Sequence, residues 1–190
     1  MQANSSLSPK NGLSMKDYRI AGHIVSIDFT DSNISETLLP NFAPFAYEGL
    51  QKPAVTVRIV SDHEWEQDVQ DIGTFDVGGS DYAVFRTAQG GYRLDIHDTN
   101  GHLCSRIQSN PDFSLCHVKI YEGTYTQQHY GLDNCMMLAF AYATATMDTL
   151  LIHSSVIRCN GNGYLMTAPS GTGKSTHTYL WYTTIPGCDL

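Results

Sequence analysis

The chain is predicted to be an α+β protein with three parts: an N-terminal antiparallel β-rich unit, a buried helix, and the beginning of a second, incomplete domain of strand–loop–helix type. Three observations carry this. From Tyr18 to about Gly131, segments rich in β-branched residues alternate with explicit turn signals. One long apolar stretch follows, "LDNCMMLAFAYATATMDTLL", Leu132 to Leu151. The remainder reads as two short apolar strands about a turn, a glycine-rich loop and a helix.

The first fourteen residues, "MQANSSLSPKNGLS", are polar and lack the apolar core of a secretory signal, so residues 1–14 are expected to form a disordered tail. Residues 15–131 make the β-rich unit. "YRIAGHIVSIDF", "AVTVRIV", "DYAVFRT", "GYRLDIHD", "LCSRIQS" and "SLCHVKIY" are its strand-like segments, which predicts roughly six strands or more. Gly78-Gly79, Gly90-Gly91, Asn100-Gly101 and Asn110-Pro111 mark turns between them. Pro40 and Pro44 keep "NFAPFAYEG" out of regular structure. The acid-rich "DHEWEQDVQD", Asp62 to Asp71, is expected to be a solvated face.

Residues 132–190 are assigned to the second domain. The uncharged run between Asp133 and Asp148 has 14 residues, short of the roughly 20 a bilayer crossing needs. It is therefore read as a buried helix over 132–151, capped by Asp133 or Asn134. "LIHSSVIRC" and "YLMTAPSG" flank Asn160-Gly161-Asn162-Gly163, a strong hairpin turn.

Charge and composition narrow the function. The formal net charge is −8 and no Lys/Arg cluster occurs, which argues against a nucleic-acid-binding face. The five cysteines, Cys104, Cys116, Cys135, Cys159 and Cys188, include no C-x-x-C pair. Free thiols in a reducing, cytoplasmic setting are expected from them. "DIHDTNG", Asp95 to Gly101, does not keep the ligand order of a calcium loop and is predicted as a hairpin turn. The histidines show no H-x-x-x-H spacing, so no metal other than a nucleotide-bound Mg²⁺ is expected.

"YLMTAPSGTGKSTHTYLW", Tyr164 to Trp181, carries the chemistry. It has Walker A spacing, G-x-x-x-x-G-K-[ST], with Ala168 at the first glycine position. Ser170, Gly171, Thr172 and Gly173 can curl their backbone N–H groups around a phosphate. Lys174 would reach the β- and γ-phosphates, and the Ser175 hydroxyl would join the Mg²⁺ shell. The helix beginning near Lys174 directs its positive end at the same anion. ATP and Mg²⁺ are thus the expected ligands, with Ser170 to Thr176 as the nucleotide-binding residues.

The run from Leu150 to Leu180 resembles the phosphate-loop core of the HPr kinase/phosphorylase family, and is similar also to the loop of phosphoenolpyruvate carboxykinases. In that family a leucine–histidine step opens a strand, a hairpin follows, and an apolar strand enters the loop. Ile152-His153 would stand at that step. The resemblance implies an ATP-dependent kinase acting on a serine hydroxyl of a protein or small molecule, with Lys174 and His153 as candidate catalytic residues. It also implies the start of an HPr kinase-like domain and leaves an oligomer open. No nucleic acid and no membrane are expected among its partners.

The family's catalytic carboxylates lie on a strand downstream of the loop, whereas Asp189 is the sole acid after Ser175 here. The expectation is therefore a truncated product without kinase activity, or a fold completed by a partner chain. Two other readings stay open. ABC-type ATPases share the loop but place it near the start of their domain, and usually follow it with a leucine pair where this chain has His177-Thr178. A non-catalytic binding module, with the loop vestigial or regulatory, is the third.

Overall fold

A computed structural model describes residues 15–190, so the expected tail at 1–14 lies outside the described residues. The chain separates into two compact units, the first ending at Thr149 and the second spanning Leu150–Leu190. The division falls after the apolar helix, whereas the sequence placed that helix at the head of the second domain. The helix stays with the first unit because its buried side chains belong to the first unit's core.

The first unit is a mostly antiparallel sheet of eight strands. They are β1 (Met15–Ile20), β2 (His23–Asp31), β3 (Val55–Val60), β4 (Val69–Asp76), β5 (Asp81–Thr87), β6 (Tyr92–His97), β7 (Leu103–Ser109) and β8 (Leu115–Ile120). Their order in space is β1-β2-β3-β8-β7-β6-β5-β4. The centre differs from the antiparallel expectation, because β2 runs parallel to β3 and β3 parallel to β8. Strand β2 buries Ile24, Val25, Ser26, Ile27 and Phe29, and β3 buries Val55, Val57, Ile59 and Val60. Strand β2 is buried on both faces, as strands in parallel pairs commonly are, whereas β3 alternates, with Thr56 half-buried and Arg58 exposed.

Strand β4 was not expected at all. It falls partly within the acid-rich stretch and is exposed along nearly its whole length. It sits at the sheet edge, where charged residues and a register shift between Asp71 and Gly73 are tolerated.

Helix α1 spans Tyr125–Thr144, beginning and ending seven residues before the expected 132–151. The reason is a capping box that sequence reading passed over. The Thr124 hydroxyl accepts from the Gln127 backbone N–H, and the Gln127 side chain accepts from the Thr124 N–H. From there Leu132, Cys135, Met136, Ala139, Phe140 and Ala143 follow the 3.6-residue period and fill the core against the sheet. Gly131 makes the close approach possible, since a Cβ there would lie 3.0 Å from the Cys104 backbone. Burying Leu132 or Met136 stabilises the fold by roughly 1.5–3 kcal/mol each. Among the described residues no helix is long and apolar enough to cross a membrane.

The second unit holds β9 (Ser155–Cys159), β10 (Asn162–Met166), α2 (Lys174–Thr184) and β11 (Cys188–Asp189), with sheet order β10-β9-β11. The expected hairpin forms on the two-residue turn Asn160-Gly161. One expectation about the cysteines is corrected. Cys159 and Cys188 are joined in a disulfide, because β11 lies antiparallel to β9 in a register that places them opposite one another. A sequence separation of 29 and an odd cysteine count hid the pairing. Cys104, Cys116 and Cys135 are free and buried. Desolvation holds the Cys104 and Cys116 thiols above their ordinary range and pushes Cys135 up to about 12, so these three are poor nucleophiles.

Candidate functional site

The glycine-rich loop lies where its sequence context predicts, between β10 and α2. Strand β10 ends at Met166, the loop crosses Thr167 to Gly173, and α2 begins at Lys174. Gly171 (φ +79°) and Gly173 (φ +89°) both adopt the left-handed conformation, and Gly173 is the residue preceding the helix. Only glycine takes up such positions without strain, and a Cβ at either would point into open space. The conformational demand, not crowding, accounts for both.

The first turn of α2 offers its backbone donors. His177 N–H donates to the Gly173 carbonyl at 2.9 Å. The amides of Lys174, Ser175 and Thr176, which precede it, therefore lack a partner inside the helix. The helix is held to the strand below by Thr178, the one buried residue of α2. Its hydroxyl donates to the Lys174 carbonyl at 3.1 Å and contacts Met166 Sδ at 3.4 Å.

Lys174 folds back over the loop, donating to the Ala168 carbonyl at 2.8 Å and the Pro169 carbonyl at 3.2 Å. The Thr172 hydroxyl donates to the same Pro169 carbonyl at 2.7 Å. A phosphate arriving in the loop would compete with two neutral carbonyls for the ammonium group, adding an attraction between opposite charges that the carbonyls do not supply. The Ser175 hydroxyl lies 3.5 Å from that of Ser155 on β9. The Ser175 hydroxyl at the helix start is a hard oxygen, the kind of ligand Mg²⁺ takes beside phosphate oxygens. A cavity of about 450 Å³ opens beside the loop, lined by Ala168, Thr172, Gly173, Lys174, Thr176 and His177 among others. It falls within the range of small-molecule sites.

Other expected residues lie elsewhere. His153 is exposed in the irregular stretch before β9, which starts only at Ser155, and it does not line the loop cavity. Asp189, the one acid after the loop, is bound by Arg158 through two bonds of 2.7 and 2.6 Å. The Arg158 guanidinium holds its carboxyl below the ordinary range. Ser155, which sequence reading did not single out, lies 3.5 Å from Ser175 across 20 residues of sequence, and no local signal links the two. Among the described residues no cluster of three or more metal-ligating side chains occurs.

No family model, curated protein or solved structure matches the chain.

Proposed function

We propose that the second unit binds the phosphates of ATP with Mg²⁺, and that, where the downstream catalytic carboxylates are supplied, it serves phosphoryl transfer from ATP to a serine hydroxyl. The observation that carries the nucleotide reading is the paired left-handed conformation of Gly171 and Gly173 before the open N-terminus of α2. That arrangement turns successive N–H groups toward one point, which is how backbone nests hold phosphate. Lys174 would exchange its two carbonyl partners for phosphate oxygens, and Ser175 would supply a hydroxyl to Mg²⁺. The metal would neutralise charge developing between the phosphates.

The kinase step rests on the resemblance to HPr kinases and on nothing else in this chain. The bidentate Arg158–Asp189 pair favours a second reading, a nucleotide-binding module without catalysis, because it ties up Asp189, the one acid between the loop and Leu190.

Calorimetric titration of the chain with ATP and Mg²⁺, beside Lys174→Ala, tests the shared part of both readings. Removal of a lysine in direct contact with phosphate is expected to weaken binding by about 2–5 kcal/mol. Equal heats from the two proteins would refute the assignment of the loop. Transfer of labelled phosphate to a serine would then separate kinase from binding module.

A further inference from the structure

The second unit has very little interior. Among the described residues from Leu150 to Leu190, Ile157, Cys159 and Thr178 alone are buried. A unit of about forty residues with so small a core does not hold its shape by apolar burial, and domains of this size usually depend on a covalent or metal staple. Here the staple is Cys159–Cys188. It encloses residues 160–187, which include β10, the whole glycine-rich loop and α2. The rest of the closure is slight. Strand β11 has only two ladder positions, Cys188 opposite Cys159 and Asp189 opposite Arg158. The Arg158–Asp189 pair beside it is half exposed or more on both sides, so solvent screens it. The Asn160 N–H to Gly187 carbonyl bond, 3.0 Å, adds one further link.

We propose that Cys159–Cys188 is a thiol-exchange site whose oxidation state sets the order of the glycine-rich loop and α2; its effect on ATP rests on the nucleotide-binding reading above. The co-reactant is a small thiol of the glutathione class. Cys188 is partly exposed while Cys159 is buried, so the incoming thiolate attacks the Cys188 sulfur. The S–S bond breaks and the electron pair leaves on Cys159, which takes up a proton. A second thiolate then attacks the mixed disulfide, releasing Cys188 as a thiol and the small molecule as its own disulfide. Two small thiols are oxidised and two protein thiols formed. In the dithiol state nothing covalent holds the end of α2 to β9, and the loop's phosphate-binding N–H groups lose their fixed direction. The oxidised glutathione-type disulfide reverses the sequence.

The test is amide hydrogen exchange through α2 and the loop, followed by mass spectrometry, on the full chain oxidised, reduced with dithiothreitol, and reoxidised with oxidised glutathione. The same three samples are titrated with ATP and Mg²⁺. Exchange in Tyr179–Thr184 is expected to accelerate at least tenfold on reduction and to recover on reoxidation, while α1 of the first unit stays unchanged. ATP affinity should fall at least tenfold in parallel. A Cys159→Ser, Cys188→Ser double variant should match the reduced sample without any reductant. Unchanged exchange on reduction would overturn the proposal, whatever ATP does. Faster exchange together with no ATP binding even when oxidised would leave the exchange site standing and sink the nucleotide reading alone.

Discussion

Asp95 on β6 and Arg106 on β7 face each other across the sheet, joined by two bonds of 2.6 and 2.7 Å on the face opposite α1. Both side chains are mostly withdrawn from water, at 12% and 21% exposure. The Asp95 carboxylate raises the Arg106 pKa further above its ordinary value. Removing one partner would leave the other charged and desolvated. Arg106→Ala is therefore expected to cost about 3 kcal/mol in urea unfolding. The double variant Asp95→Leu, Arg106→Leu should recover most of that loss. A double variant as unstable as the single one would show that packing of the arginine stem, not charge, is what matters.

Phe113 gives a prediction with an inverted order. It sits in the left-handed region (φ +57°) in the turn between β7 and β8, with its ring stacked between Tyr92 and Tyr142. The buried ring offsets a backbone conformation that bulky residues avoid. Phe113→Ala loses the ring and keeps the strain, at about 3–5 kcal/mol. Phe113→Gly removes more atoms yet relieves the backbone, so it should be the more stable of the two by about 1 kcal/mol. Thermal unfolding of both proteins decides the order.

The helix cap can be probed alone. Thr124→Ala removes the hydroxyl that accepts the Gln127 N–H and should cost about 1 kcal/mol. Thr124→Ser should restore nearly all of it, as read from chemical denaturation.

Stability should also fall on mild acidification. His63 and His117 stack with ring centres 4.2 Å apart. Burial lowers the pKa of both, Glu64 and Asp62 oppose the shift at His63, and His63 and Arg58 reinforce it at His117. The unfolded chain therefore takes up protons first as pH falls below about 6.5. Stability contributed by the neutral pair is complete above that pH and is lost as pH drops through the lower, folded-state values. Urea midpoints should decline between pH 7.5 and 5.5, and His117→Gln should flatten the decline. An unaltered slope in that variant would exclude the pair as its source.

How far the sequence foretold these features depends on the range over which each is decided. Turns written in adjacent residues, such as Asn100-Gly101 and Asn160-Gly161, were legible because the backbone demand is local. The glycine-rich loop was legible for the same reason, since two glycines, a lysine and a following helix all fall within a few residues. Strand β4 was not. An edge strand buries one side of its backbone and almost none of its side chains, so its composition matches that of a loop. The parallel pairing at the centre was also hidden, because the apolar residues of β2, β3 and β8 fix burial but not direction. The start of α1 was written in Thr124 and Gln127, but the more conspicuous apolar stretch drew the boundary downstream. Cys159 and Cys188 could be paired only once β11, two residues long, was in place.

The pairing of β3 with β8 bears on how the first unit reaches its folded state. Thr56 lies beside Leu115, so this central ladder closes a loop holding all of β4 to β7. Those four strands meet only sequential neighbours, each antiparallel to the last, and their short hairpins close in microseconds. Joining β3 to β8 requires that whole excursion to be gathered first, and parallel contacts of such long separation are slow to form. The meander is therefore expected to form before the parallel ladders that bring β3 to β8 and β2 to β3. Until then the free edge of β8 would carry unpaired backbone groups beside Cys116 and Val118, which are buried in the folded sheet, and such an edge favours aggregation.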